Sequence, residues 1–251
     1  MIYKAPAKIN IGLNIVGIRE DGYHLLEMIM QTIDVFDILD ITPRDDDRII
    51  IECDDINVPT DERNLIYRAV RKLTDKGFDI RLEKHIPMQA GMGGGSSDAA
   101  TALKAVNEIL RLGKTVEELE QIGAELGADV AFFIKGGKQR CQGIGEILTP
   151  LPADKKYCVF VKPEVSASTK EVYAAYDKTK PQQTGEIINV LEPVTAAVYP
   201  IIWELKKNFK MHGACIASMT GSGTAVFGLF DNKENAEICA EKTGGVLCQT
   251  F

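Results

Sequence analysis

Histidine is scarce in this chain: His24, His85 and His212 are the whole supply among 251 residues, too few for a multi-histidine metal centre. The six cysteines (Cys53, Cys141, Cys158, Cys215, Cys239 and Cys248) include no C-x-x-C pair and none has a histidine at zinc spacing. That pattern excludes the common zinc modules and leaves reduced thiols in a cytoplasm as the expected state. No apolar run approaches the roughly 20 residues of a membrane span. Excess positive charge is also missing. Lys and Arg total 29 against 36 Asp and Glu, and the net charge of −7 provides no electrostatic footprint for nucleic acid. Internal repeats, low-complexity tracts and the spacing of an acyl-transfer triad are absent as well. What remains is 45% hydrophobic and 26% charged, the balance of a soluble globular protein, long enough for one large domain or two modest ones. The opening residues, MIYKAPAKINIGLNI, alternate in polarity where a signal peptide would be solidly apolar, and they read as a first strand.

Glycine is not scarce. Between Pro87 and Ala100 the chain reads PMQAGMGGGSSDAA, with Gly91, Gly93, Gly94 and Gly95 immediately before a helical pattern. Residues without a Cβ let the backbone turn N–H groups inward, and a helix N-terminus behind them carries roughly half a positive charge, an arrangement suited to phosphate. The Walker A form would need Gly-Lys-Ser/Thr at its end, but Ser96, Ser97 and Asp98 follow Gly95. The dinucleotide fingerprint would need an acidic residue after a second strand, but the next twenty residues stay helical. Phe78, Ile80 and Leu82 alternate with Asp79, Arg81 and Glu83, so the loop lies between a strand and a helix. A glycine cluster can also be a plain connector, and Ser96, Ser97 and Asp98 are all good helix caps.

The remaining pattern mixes strands and helices in two parts. Strands are expected up to Ile41 and over Ile49 to Ile51. A helix through Leu65, Ala69 and Leu73 is expected to be capped by Gly77. The helix after the glycine loop places Ala99, Leu103, Val106 and Leu110 on one stripe, and Leu119, Ile122 and Leu126 mark another that stops at Gly127. Beyond about residue 150 the spacing predicts a strand through Cys158 to Val161, a helix near Thr169 to Tyr176, a polar interruption at Lys178 to Glu186 and a long helix from about Asn189 to Asn208. Two strands around MTGSGT, a helix over about Lys233 to Lys242 and a last strand complete the chain. This is an α+β pattern.

Three further places could carry chemistry. In the first strand Ile9, Ile11, Leu13 and Ile15 share one face, leaving Lys8, Asn10, Gly12 and Asn14 on the other, which could equally be a solvated sheet face. Asp129 sits between a helix-ending glycine and an apolar segment, as a helix cap or as a working carboxylate. The turn Thr220, Gly221, Ser222 and Gly223 could be a hairpin and nothing more.

Taken jointly, KAPAKINIGLNIVG, PMQAGMGGGSSDAA and MTGSGTAVFGLF resemble, in type and order, the three motifs of the family of galactokinase, homoserine kinase, mevalonate kinase and phosphomevalonate kinase. REDGYHLLEMIMQT, LGADVAFFIKGG, GIGEILTPL and KPEVSASTKEVY are similar to segments of the branch of that family acting on a cytidine diphosphate-linked methylerythritol. The resemblance covers nearly the whole chain. It implies an α+β fold of two lobes: residues 1–150 as a ribosomal-protein-S5-domain-2-like ATP-binding lobe and 151–251 as a ferredoxin-like lobe contributing to substrate binding, with the active site in the cleft between. By the same resemblance Pro87, Met88, Gln89, Ala90, Gly91, Met92, Gly93, Gly94, Gly95, Ser96 and Ser97 would wrap the phosphates of ATP, and Ser97 would also meet a magnesium ion. Asp129 would accept the proton of the acceptor hydroxyl, Lys8 would steady Asp129 and the transferring phosphoryl group, and Asn10 would orient the methylerythritol hydroxyls. Tyr23 and Tyr173 would flank a cytosine ring whose edge His24 reads. Thr169, Gly221, Ser222 and Gly223 would complete the substrate contacts.

The partners so implied are a small molecule, neither nucleic acid nor membrane, and a monomer or homodimer in the cytoplasm. Leu25, Ala131 and Val190 stand where the family commonly has an acidic residue, a proline and an aspartate, and the connection from Tyr176 to Asn189 is shorter than in relatives. Two other readings stay open. One is a sibling kinase for homoserine, mevalonate or a sugar, against which the DGYH segment argues. The other is a catalytically inactive nucleotide-binding sensor, against which retention of Lys8 and Asp129 argues.

Overall fold

The computed structural model describes residues 1–181 and 188–251, and these form two compact units. The first comprises Met1–Ala7, Val35–Ile86 and Gly93–Gly136; the second comprises Lys8–Asp34, Pro87–Met92 and Gly137–Phe251. Two long strands, β1 (Ile2–Ile18) and β2 (His24–Pro43), contribute residues to both.

In the first unit, alternation decides the sheet. Phe78, Ile80 and Leu82 of β4 (Phe78–Glu83) are buried while the residues between them are exposed. The strand runs antiparallel to the end of β2, with Leu82 opposite Leu39 and Ile80 opposite Ile41. β3 (Ile49–Cys53) lies parallel to β4, a pairing that needs a crossover, and α1 (Leu65–Leu73) supplies it. The Asn64 side chain caps α1 by accepting the Ile66 N–H at 2.8 Å, and Ile66 and Val70 enter a core with Leu39, Ile41, Phe78 and Val106. Fully burying each such side chain contributes roughly 1.5–3 kcal/mol. The unit is completed by α2 (Gly94–Ile109), α3 (Val116–Leu126) and α4 (Ala128–Lys135), with α3 opened by a capping box between Thr115 and Glu118.

One expected helix end is corrected, and one open alternative is closed. α1 ends at Leu73 with Thr74 as its cap. Gly77 serves a close approach instead, since a Cβ there would lie 2.4 Å from the Arg48 carbonyl oxygen. α2 begins at Gly94, capped by Gly93, so none of Ser96, Ser97 and Asp98 acts as its cap.

In the second unit, the start of β2 pairs with β5 (Lys138–Gly143), which pairs in turn with β6 (Ile147–Leu151). A separate four-stranded antiparallel sheet has the order β10-β7-β9-β8, formed by β7 (Tyr157–Val161), β8 (Ile216–Met219), β9 (Val226–Phe230) and β10 (Val246–Gln249). With α5 (Thr169–Thr179), α6 (Glu192–Val198) and α7 (Ile201–Met211) between β7 and β8, and α8 (Lys233–Thr243) between β9 and β10, this is the split βαβ arrangement of ferredoxin-like domains. β9 is buried along its whole length, and α7 lies so close over it that a Cβ on Gly228 would be 3.1 Å from that of Phe209.

The single helix expected over about Asn189 to Asn208 is two. Tyr199, preceding Pro200, adopts φ −123° and ψ 81°, the extended bias that a following proline imposes, and this separates α6 from α7. Most of the polar interruption read at Lys178 to Glu186, and the middle of the Tyr176 to Asn189 connection, lie outside the described residues. Among the described residues no helix is long and apolar enough to cross a membrane. The architecture is α+β throughout.

Candidate active site

The polar face of β1 is not solvated. Lys8 is 4% and Asn10 1% exposed, and Lys8 Nζ donates to Asn10 Oδ1 at 2.5 Å. Asn10 donates its backbone N–H to Thr220 Oγ1 at 3.0 Å, and that hydroxyl lies 3.1 Å from the Gly91 carbonyl oxygen. The Lys8 N–H reaches the Met92 carbonyl oxygen at 3.1 Å. Residues more than 200 apart in sequence thus form one buried network, and an unpaired lysine or amide could not remain there without loss. Gly91 has φ +72°, and a Cβ on it would lie 2.2 Å from the Thr220 carbonyl oxygen, so only glycine permits this approach. Asn189 secures the turn from its other side, donating to the carbonyl oxygens of Met219 and Gly221, both at 2.8 Å.

The same unit carries two cavities. One, of about 480 Å³, is lined by Gln89, Gly91, Ser168, Thr169, Ser222 and Gly223 among others, and Thr169 and Ser222 share a hydroxyl hydrogen bond of 2.9 Å. The other, of about 550 Å³, is lined by Asp21, Tyr23, His24, Lys170 and Tyr173. Tyr23 is 60% exposed, whereas the rings of His24 and Tyr173 lie 4.8 Å apart at 38°.

In the first unit, Gly93 (φ +74°) leads into α2, and Gly95 opens on empty space. Ser97 is fully buried, and its Oγ has no hydrogen-bond partner among the described residues. A buried hydroxyl left unpaired costs about 1–3 kcal/mol, so an orphaned one at the positive end of a 16-residue helix fits a phosphate group or a hard cation. No group of three or more His, Cys, Asp or Glu that could hold a metal occurs among the described residues, and a cation here would depend on hydroxyl and phosphate oxygens.

Beside Ser97, Asp98 Oδ2 accepts from Lys84 Nζ at 2.8 Å. Lys84 also donates to Asp37, whose other oxygen takes the backbone N–H groups of His85 (2.6 Å) and Ile86 (2.8 Å). Burial pushes the Asp98 carboxyl up to about 7, with Lys84 opposing. Asp129 occupies the first turn of α4 and is half-buried, and Gly127 rather than Asp129 caps that helix.

The structure therefore brings together Lys8, Asn10, Gly91 and the Thr220–Gly223 turn, groups Tyr23, His24 and Tyr173 around one cavity, and places Ser97 with the glycines at α2. Lys84, Asp37, Asn189 and Asp177 belong to the site regions without carrying a motif in the sequence. Only Asp177 left a usable trace there, four residues after Tyr173 on one helix.

Comparisons with known proteins extend this picture. The family model for the GHMP kinases N terminal domain matches residues 64–137, and that for GHMP kinases C terminal matches residues 174–243. A 4-diphosphocytidyl-2-C-methyl-D-erythritol kinase of Clostridium beijerinckii is 43% identical over 267 aligned positions, covering 96% of this chain and 95% of the relative. Its counterpart in Clostridium novyi is 44% identical at the same coverage. A crystal structure of 4-(cytidine 5'-diphospho)-2C-methyl-D-erythritol kinase superposes with a TM-score of 0.86 at 30% identity, covering 100% of this chain and 99% of its own. Homoserine kinase from Cytophaga hutchinsonii, at TM-score 0.77 and 18% identity, shares the fold.

Proposed function

This chain belongs to the GHMP kinases, and we propose that it transfers the γ-phosphoryl group of ATP to the 2-hydroxyl of 4-diphosphocytidyl-2-C-methyl-D-erythritol, a step toward isoprenoid precursors that bypasses mevalonate. The observation that carries the choice of acceptor is the cavity walled by Tyr23, His24 and Tyr173. Stacking a base on an aromatic is worth about 1–3 kcal/mol, and neither homoserine, mevalonate nor a simple sugar has an aromatic ring to place there.

In the transfer, a bond forms between the acceptor oxygen and the γ-phosphorus while the bond to the β-γ bridging oxygen breaks. The hydroxyl proton passes to Asp129. Lys8 offsets the charge on the phosphoryl oxygens, and Asn10, held by Lys8 and Thr220, orients the acceptor. The loop Pro87–Ser97 cradles the ATP phosphates with backbone N–H groups, and Thr169 and the Gly221–Gly223 turn serve the acceptor. Magnesium, held by Ser97 and phosphate oxygens, would supply charge neutralisation. Positioning and electrostatic stabilisation of this kind suffice for phosphoryl transfer.

In this reading residues 1–150 serve as the ATP-binding lobe, residues 151–251 add substrate contacts, and the protein works in the cytoplasm as a monomer or homodimer. Its six free thiols and net charge of −7 suit that setting and argue against nucleic acid.

A product assay across the cytidylyl acceptor, homoserine, mevalonate and galactose, with ATP and magnesium, tests the proposal. Transfer to the cytidylyl acceptor alone is expected, and transfer to another acceptor instead overturns it. Asp129→Asn and Lys8→Ala should each lower kcat by about 10² or more, and wild-type turnover in either removes that residue from the mechanism.

A further inference from the structure

We infer that Asp177, to which no role has been given so far, is a positioning residue that sets His24 to distinguish cytosine from uracil. The inference rests on the cytidylyl-acceptor reading above.

On α5, Tyr173 and Asp177 are four residues apart and so lie on one face a turn from each other. His24 meets both. Its ring lies 4.8 Å from that of Tyr173, and its Nε2 lies 2.7 Å from Asp177 Oδ1. An ionised carboxylate only accepts hydrogen bonds, so the hydrogen in this contact belongs to Nε2, and in the neutral imidazole Nδ1 is left as a bare acceptor. Nδ1 makes no hydrogen bond among the described residues, while the His24 side chain, 13% exposed, lines the 550 Å³ cavity. As an ion pair the contact is worth little, because Asp177 is 42% exposed. Its consequence is the tautomer.

An acceptor on the cavity wall matches a base edge that offers N–H. Cytosine presents an amino donor at its 4-position, whereas uracil presents a carbonyl oxygen there. Where the bare Nδ1 meets the 4-position of the base, uracil sets acceptor against acceptor, and a site built for a donor there rejects the analogue that lacks one. Without Asp177 the imidazole exchanges tautomers and turns about its bonds, so either base edge can find a partner.

The test is calorimetric titration of the full-length protein with CDP and with UDP, for wild type, Asp177→Ala and Asp177→Glu, together with ¹⁵N NMR of the three histidines. Wild type should bind CDP roughly tenfold or more tightly than UDP, and its neutral His24 should carry hydrogen on Nε2. In Asp177→Ala the ratio should fall to within about threefold and the His24 signals should average between tautomers. In Asp177→Glu both should recover. A wild type indifferent to the base, or an alanine variant that keeps both the ratio and the tautomer, overturns the inference. Absence of phosphoryl transfer in the product assay would sink the kinase reading while leaving the CDP to UDP ratio and the NMR signature to decide this one, so the two failures are distinguishable.

Discussion

A methyl group added at Gly91 has nowhere to go. Its Cβ would stand 2.2 Å from the Thr220 carbonyl oxygen and 3.0 Å from the carbonyl carbon, so the two segments would have to part by about 1 Å to reach ordinary van der Waals contact. They cannot part freely, because the Thr220 hydroxyl is tied to the Gly91 carbonyl oxygen at 3.1 Å and to the Asn10 N–H at 3.0 Å. Losing those two bonds costs roughly 0.5–1.5 kcal/mol each, and a Cβ at φ +72° adds roughly 1–2 kcal/mol. The expected destabilisation of Gly91→Ala is therefore about 2–5 kcal/mol, which lowers the unfolding midpoint of a chain this size by roughly 10 °C.

Gly95 is the internal comparison. It lies in helix α2, its φ is not in the left-handed region, and nothing stands within 4 Å of its would-be Cβ. Gly95→Ala should raise stability by roughly 0.5–1 kcal/mol, as alanine does for glycine in a helix. It should nevertheless raise KM for ATP, because the empty space at α2's N-terminus is where an anion approaches. Differential scanning calorimetry and steady-state kinetics with varied ATP read both effects. A Gly91→Ala protein with wild-type midpoint and wild-type KM would refute the close-packing argument, and a Gly95→Ala protein with unchanged KM would refute the assignment of that space to phosphate.

Ser97→Ala should leave the ligand-free protein as stable as wild type or up to about 1 kcal/mol more so, because it removes an unpaired buried hydroxyl, and should weaken ATP-magnesium binding in a filter or calorimetric assay. Asp98, with its carboxyl raised to about 7, keeps a proton in the folded chain that the unfolded chain has lost. Folding stability should therefore fall as pH rises from about 4 to about 7, by at most about 1.4 kcal/mol per unit, and urea unfolding of Asp98→Asn should show a flatter profile. Asp21 and Asp61, held near 2 by Arg19 and Arg63, titrate below that window. Glu192 is fully buried and accepts from Lys206, Ser218 and the Met219 N–H, so Glu192→Ala should cost about 3–5 kcal/mol by leaving an unpaired lysine, measured by guanidinium unfolding.

Much of the architecture was readable from short-range patterns. The two-residue alternation of Phe78 to Glu83, the spacing of α3 and its stop at Gly127, and the glycine cluster before α2 all express local sterics and burial, which a chain carries wherever its neighbours lie. Where local reading failed, the cause was often local too. Pro200 stands in the sequence and should have divided the helix expected from Asn189. Glycine commonly ends helices, and Gly77 follows α1 closely enough to suggest a cap, whereas its lack of a side chain answers to Arg48, a constraint from another segment.

The site shows the same division more sharply. KINIG, the glycine loop and MTGSGT could each be marked as candidates because unusual backbone needs unusual residues. Whether the Lys8 and Asn10 face met water or protein was not encoded in alternation, which is identical in both cases. Burial of that face came from Thr220, 210 positions from Asn10, and from Gly91, whose missing Cβ lets two backbones touch. Lys84 with Asp37, and His24 with Asp177, are likewise pairings between residues 47 and 153 positions apart. Periodicity speaks for a residue and the next few along the chain, while a hydrogen-bond partner is chosen by which segments meet in space.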